Sequence, residues 1–273
     1  VLFVLLISMA TGLCTAAGSL PFWTVRVLPR RVYDLVLGFG AGLMLSAATL
    51  GLLAQALVGL RREGELQHGS LALVMLGLTA GFAILFMAER LLPHEHARGH
   101  HEHLREGAHF HDDEHDSVRK HNPHVRQGLL ISGALIFHRL PEGFAIGASF
   151  ASGETRPLGL LVAFSVALQN ACEGMVMSAP LRAGGLPAWR ALLITGATGL
   201  TVPLMALAGY GFSQYVTGAM PFALAFAAGS LIGVTSNEVI PETHGHGNEA
   251  PATLGIVAGF MFTILLRVGL GID

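Results

Sequence analysis

Charge is scarce in this chain. Asp, Glu, Lys and Arg make up 12% of its 273 residues, against about 25% in an ordinary soluble domain. With 52% hydrophobic residues and a positive mean hydropathy, that scarcity excludes a conventional soluble globule. The formal net charge is only −2, so nothing in the bulk charge suggests a nucleic-acid partner. Cysteine is nearly missing as well. Cys14 and Cys172 lie in different apolar stretches and read as small core residues, which excludes a disulfide framework and leaves the redox compartment open. No HExxH occurs, which argues against an intramembrane metallohydrolase, an enzyme that needs an open metal position and a general base. A basic n-region and an initiating Met are lacking too. The opening "VLFVLLISMATGLCTAAG" therefore reads as a first span, not as a signal peptide.

What is present is a recurring apolar run of about 20 residues, enough to cross ~30 Å of hydrocarbon at 1.5 Å per residue. The runs predict an all-α polytopic membrane protein, a single domain over 1–273, with eight transmembrane helices at 2–22, 33–59, 70–92, 127–151, 157–181, 188–212, 219–240 and 252–271. Short links favour antiparallel neighbours, and the 35 glycines suit close helix approach in lipid. One link differs. Residues 93–124 hold ten of the fourteen histidines and no hydrophobic period, which predicts a polar His-rich loop. Its imidazoles, His94, His96, His100, His101 and His103 among them, are candidates for metal capture; the plainer alternative is a solvated, weakly selective loop. Arg and Lys concentrate in the links after spans 1, 3 and 5, which places those links and the His-rich loop in the cytosol and both termini outside an inner (plasma) membrane.

Within the fourth run, "LLISGALIFHRLPEGFAIGASF", three ionisable residues intrude. His138 and Glu142 are four apart and share one helix face, and Pro141 frees a carbonyl one turn earlier, which a bilayer tolerates where a helix lines a cavity or packs on protein. Such intramembrane charges point to function, although a kinked helix with a satisfied polar cluster is the plainer alternative. The next run holds an echo, "QNACEG", with Gln169 and Glu173 again four apart. Facing each other, His138, Glu142, Gln169 and Glu173 offer one nitrogen and several oxygens, a mixed set suited to zinc or another divalent transition metal as substrate. Glu238, Glu242, His244 and His246, at the cytosolic end of the seventh run, are candidates for an exit pathway or for an ordinary polar helix end.

These stretches resemble a family. "HRLPEGFAIG" is similar to the "HNxPEG" signature of ZIP (Zrt/Irt-like) divalent metal transporters, and "QNACEG" to their fifth-span motif. "NEVIPETHGHGNE" and "PHEHARGHH" resemble the seventh-span end and the cytosolic loop of the bacterial GufA-like branch. The resemblance implies an elevator-type bundle with the metal site between spans 4 and 5, and primary-ligand roles for His138, Glu142, Gln169 and Glu173. It also exposes departures. Where the family places ligands for a second metal, this chain has Arg139, Asn170 and Val202. The fifth-span proline is Cys172, a His-Glu pair reads Asn237–Glu238, and Arg267 stands where the branch tends to have an acid.

Arg139 thus modulates the site in one of two ways, with Asn170 beside it. Its permanent charge stands in for a second cation and leaves a mononuclear uptake transporter, or it pairs with the carboxylates and locks a transport-silent metal-binding or sensor relative. The expected partners are the metal ion and the lipid bilayer, with no nucleic acid; a homodimer is compatible with this reading.

Overall fold

The computed structural model describes residues 1–25, 28–58, 61–62, 65–66, 68–91, 123–151, 156–216, 218–245 and 247–271. Among these the fold is helical apart from a two-residue antiparallel pairing of β1 (Arg61–Arg62) with β2 (Glu65–Leu66). The first helix, α1 (Leu2–Gly18), ends in a 3₁₀ turn, Leu20–Trp23. Next, α2 (Arg30–Ser46) passes through a π-helical stretch, Ala47–Leu53, into α3 (Ala54–Val58). Then come α4 (His68–Leu91), α5 (Pro123–Ala151), α6 (Arg156–Ala183), α7 (Ala188–Thr198) and α8 (Thr201–Tyr215). After α9 (Met220–Val234) a second π-helical stretch, Thr235–Val239, leads into α10 (Ile240–His244), and α11 (Glu249–Gly269) follows.

Six continuous stretches are long and apolar enough to cross a membrane: Leu2–Trp23, Arg30–Val58, Pro157–Ala183, Ala188–Tyr215, Met220–His244 and Glu249–Gly269. In α4 the apolar part is shorter, Leu71–Met87, and α5 is a 29-residue helix interrupted by its polar residues.

The structure departs from the sequence reading at three places. Helix α5 begins at Pro123, so the last two residues of the predicted loop 93–124 are already helical; proline suits a first helical turn, where its missing N–H has no acceptor to lose. The sixth predicted span keeps its membrane length but turns between α7 and α8. Pro203 has no N–H to offer the Gly199 carbonyl and its ring crowds that oxygen, so the chain turns at Gly199–Leu200. The seventh predicted span is not uniform either, because Pro241 stands four residues after Asn237 in the same way and the turn widens to π geometry just before it. Pro141, by contrast, leaves α5 helical throughout.

The helices pack as two groups. In the first, α1 lies on α6, α7 and α8, and α5 lies on α6 and α8. In the second, α2 lies on α11, and α4 lies on α9. The groups meet chiefly where α2 touches α6 and α5 touches α9. Buried Ala, Val and Leu fill the interior, among them Ala41, Ala48, Leu52, Val162, Ala225 and Leu231. In the second group Arg267 of α11 donates a hydrogen bond to the Leu50 carbonyl inside the first π-helical stretch.

Candidate metal site

The polar residues of α5 and α6 meet at the contact between these helices. Their i, i+4 spacing puts His138 with Glu142, and Gln169 with Glu173, on single faces, and all four are buried, as are Arg139 and Asn170. Burial of so many polar groups requires partners. The Gln169 amide nitrogen donates to Glu142 Oε1 at 2.6 Å and to Glu173 Oε1 at 2.8 Å, so one amide bridges two carboxylates that would otherwise repel. Arg139 Nη2 donates to Glu173 Oε2 at 3.0 Å, and its Nη1 donates to Asn170 Oδ1 at 2.9 Å.

Each site glutamate is followed by a glycine, and each glycine admits another helix. A Cβ at Gly143 would lie 2.5 Å from the Val202 carbonyl oxygen of α8, and one at Gly174 would overlap the Thr15 carbonyl oxygen of α1. These close approaches wall the site with α8 on one side and α1 on the other. Val202, fully buried, brings only an apolar side chain. Helix α1 brings oxygens. Thr15 Oγ1 accepts from Arg139 Nη1 at 2.6 Å, and the Thr11 carbonyl accepts from Asn170 Nδ2 at 3.1 Å.

Sequence reasoning missed Thr11 and Thr15. The available signal was Ser8, Thr11, Thr15 and Gly18 recurring along one buried stripe of an otherwise apolar helix. It also missed Asp34, a buried carboxylate at the start of α2, whose Oδ2 accepts from Asn248 Nδ2 at 2.9 Å.

Not every candidate joins the same network. His138 directs Nε2 to Glu238 Oε2, 2.7 Å away, and so links α5 to the π-helical stretch of the other helix group. Glu238 therefore stands beside the site, one helix turn before Glu242, which is exposed. His244 is tied locally, with Nδ1 2.8 Å from Thr243 Oγ1 and 3.0 Å from the Ile240 carbonyl. His246 and the loop histidines His94, His96, His100, His101 and His103 lie outside the described residues. Among the described residues no three His, Cys, Asp or Glu side chains form a group arranged to hold a metal; amides and a guanidinium are interleaved with the carboxylates instead. Glu142 Oε2 and Arg139 Nε are buried in the cluster with no hydrogen-bond partner among the described residues.

Comparison with known proteins decides the family. The profile described as "ZIP Zinc transporter" matches residues 1–267. The chain belongs to the ZIP family. Among ZIP relatives, the zinc transporter ZIPB of Bordetella bronchiseptica is 38% identical over 270 residues, spanning 94% of this chain and 78% of that protein. The zinc transporter GufA of Myxococcus xanthus is 32% identical over 268 residues, 98% of each chain, and the zinc transporter ZIP11 of Xenopus tropicalis is 28% identical, spanning 98% of this chain and 97% of that one. ZIP membership makes this a multi-pass membrane transporter of divalent metal, not an enzyme.

Proposed function

We propose that this protein takes up zinc, moving it from the outside to the cytosol across the inner membrane, and that it carries one ion at a time between α5 and α6. His138, Glu142, Gln169 and Glu173 line the ion's seat, with Arg139 occupying the position of a second cation. The observation that carries this reading is the pair of buried carboxylates joined by Gln169, one of which keeps an oxygen without a hydrogen-bond partner among the described residues. A buried carboxylate oxygen in that condition is costly unless a cation or a proton meets it, and a divalent cation can meet both carboxylates at once.

In this reading α4 and α5 cross the bilayer with the six apolar stretches, which makes eight crossings and leaves both termini outside. The group built on α1, α5, α6 and α8 carries the site and slides as an elevator against the group built on α2, α4, α9 and α11. Glu238, Glu242, His244 and His246 take the ion towards the cytosol, where the loop histidines collect it. Two copies form the transporting unit.

The experiment is zinc flux into proteoliposomes, with cadmium, iron and manganese compared under the same gradient. Zinc uptake that disappears in Glu142→Ala, with the variant still inserted and monodisperse, supports the reading. One observation favours a second reading: the 3.0 Å Arg139–Glu173 ion pair could lock the helices. A protein that binds cation in solution but moves none into vesicles would establish the lock.

A further inference from the structure

The two carboxylates of the site are not equivalent. We infer that Thr15 and Asn170 hold the Arg139 guanidinium on Glu173, so that Glu173 serves as a fixed counter-ion and Glu142 alone is the carboxylate that receives the cation. The inference rests on the reading of this cluster as the cation's seat, and it divides the labour within it.

Both neutral acceptors of Arg139 are themselves oriented. Thr15 Oγ1 donates its own proton to the Gly12 carbonyl at 2.8 Å, which leaves its lone pairs for the guanidinium. Asn170 donates Nδ2 to the Thr11 carbonyl, which turns Oδ1 towards the same guanidinium nitrogen. Thr15 has little room to move, since its backbone carbonyl abuts Gly174 on the turn that bears Glu173. The hydrogen bonds of Arg139 therefore all run to α1 and α6, and none runs to Glu142, three residues along its own helix.

Glu173 is engaged at both oxygens by this arrangement, with Oε1 on Gln169 and Oε2 on Arg139. Glu142 is not: Oε1 accepts from Gln169, and Oε2 is buried without a partner among the described residues. Formal charge agrees with a single ion. With His138 neutral and the carboxylates ionised, Glu142, Glu173 and Glu238 carry three negative charges against the one positive charge of Arg139. One divalent cation brings the sum to zero, and a second would leave an excess of two positive charges in a buried site.

The full-length chain in proteoliposomes tests the division. Replacing the ion pair by neutral residues of similar size, Arg139→Met with Glu173→Gln, should cost at least about tenfold less zinc flux than the matching change at Glu142, since a buried pair can often be replaced together. Arg139→Met with Glu142→Gln should lose flux to background. Equal loss in both double variants, each monodisperse, would overturn the inference. Thr15→Val should raise the zinc KM about tenfold with little change in kcat, because the guanidinium freed of one acceptor turns to the open oxygen of Glu142. Thr15→Ser should restore it, and the Thr15→Val effect should vanish in the Arg139→Met, Glu173→Gln background. A Thr15→Val effect that persists there, or that Ser does not rescue, would show that Thr15 does not act through Arg139.

Wild-type crystals soaked in cadmium give a measurement independent of variant folding. Anomalous density at Glu142 Oε2, with Arg139 still on Glu173, supports the division. A cadmium ion bound by Glu173 with Arg139 displaced overturns it while leaving the transporter reading intact. An empty site together with no wild-type flux would overturn the transporter reading itself.

Discussion

The segments "HRLPEG" on α5 and "QNACEG" on α6 share a spacing and a terminal Glu-Gly, yet the structure treats them differently. On α6 the glutamate is enclosed, held by Gln169 and Arg139. On α5 the glutamate is just as buried, but one of its oxygens has no hydrogen-bond partner among the described residues. Two similar six-residue motifs thus differ in how their glutamates are partnered, and the residue that breaks their equivalence is Arg139. Similar spacing therefore places polar groups alike without giving them the same partners; the neighbours decide that.

The largest effect that would break the comparison is on transport itself. Glu142→Ala should abolish zinc flux and leave thermal stability in detergent nearly unchanged. Glu173→Ala should abolish flux and also destabilise the protein by about 3–5 kcal/mol, because it strands a buried guanidinium. Flux and melting temperature measured on the same two preparations check this, and equal stability losses would erase the distinction between the two motifs.

Next in size is Arg139→Asn. With the positive charge gone, the first ion should bind more tightly, or a second should enter beside Asn170, with Val202 still offering no ligand. Ion counts from anomalous scattering, at matched pH and metal concentration in wild type and variant, read this directly; unchanged affinity and count would mean that Arg139 does not shape the site.

Gly174→Ala sharpens the comparison through packing. A methyl group there meets the Thr15 backbone, so α1 must back away from α6, at a cost of about 1–3 kcal/mol and with a rise in zinc KM as Arg139 loosens. Melting temperature and flux kinetics report the two parts. The smallest effect is expected from deleting residues 98–121. Metal captured by detergent-solubilised protein should fall while flux is largely kept, and complete loss of flux with normal expression would put the loop in the pathway.

Much of this arrangement was legible in the sequence. Long apolar runs announced the six membrane-length helices, because lipid demands continuous apolar length. His138, Glu142, Gln169 and Glu173 stood out because ionisable and amide groups are expensive in such runs. Thr15 did not stand out. A hydroxyl in an apolar helix ordinarily satisfies itself on a carbonyl one turn back, and nothing local distinguishes one that also accepts from a guanidinium 124 positions away. The position of Glu238 against His138 was hidden for a different reason. A π-helical turn carries an extra residue, so the faces counted at ordinary helical spacing no longer apply beyond it. The turn at Gly199–Leu200 was signalled by Pro203, but proline inside a membrane helix is compatible with either a turn or continuity, as Pro141 demonstrates.

The contact between His138 and Glu238 has a thermodynamic corollary. An imidazole nitrogen serves one partner at a time, either donating a proton to a carboxylate or giving its lone pair to a metal. An ion that takes Nε2 of His138 must first separate it from Glu238, and Glu238 belongs to the opposite helix group. Occupancy and docking of the two groups are then linked functions. By reciprocity, the factor by which a bound ion weakens the junction is the factor by which undocking the junction strengthens ion binding. A transporter wired in this way needs no separate sensor of its load, since loading and unfastening are one equilibrium seen from two ends.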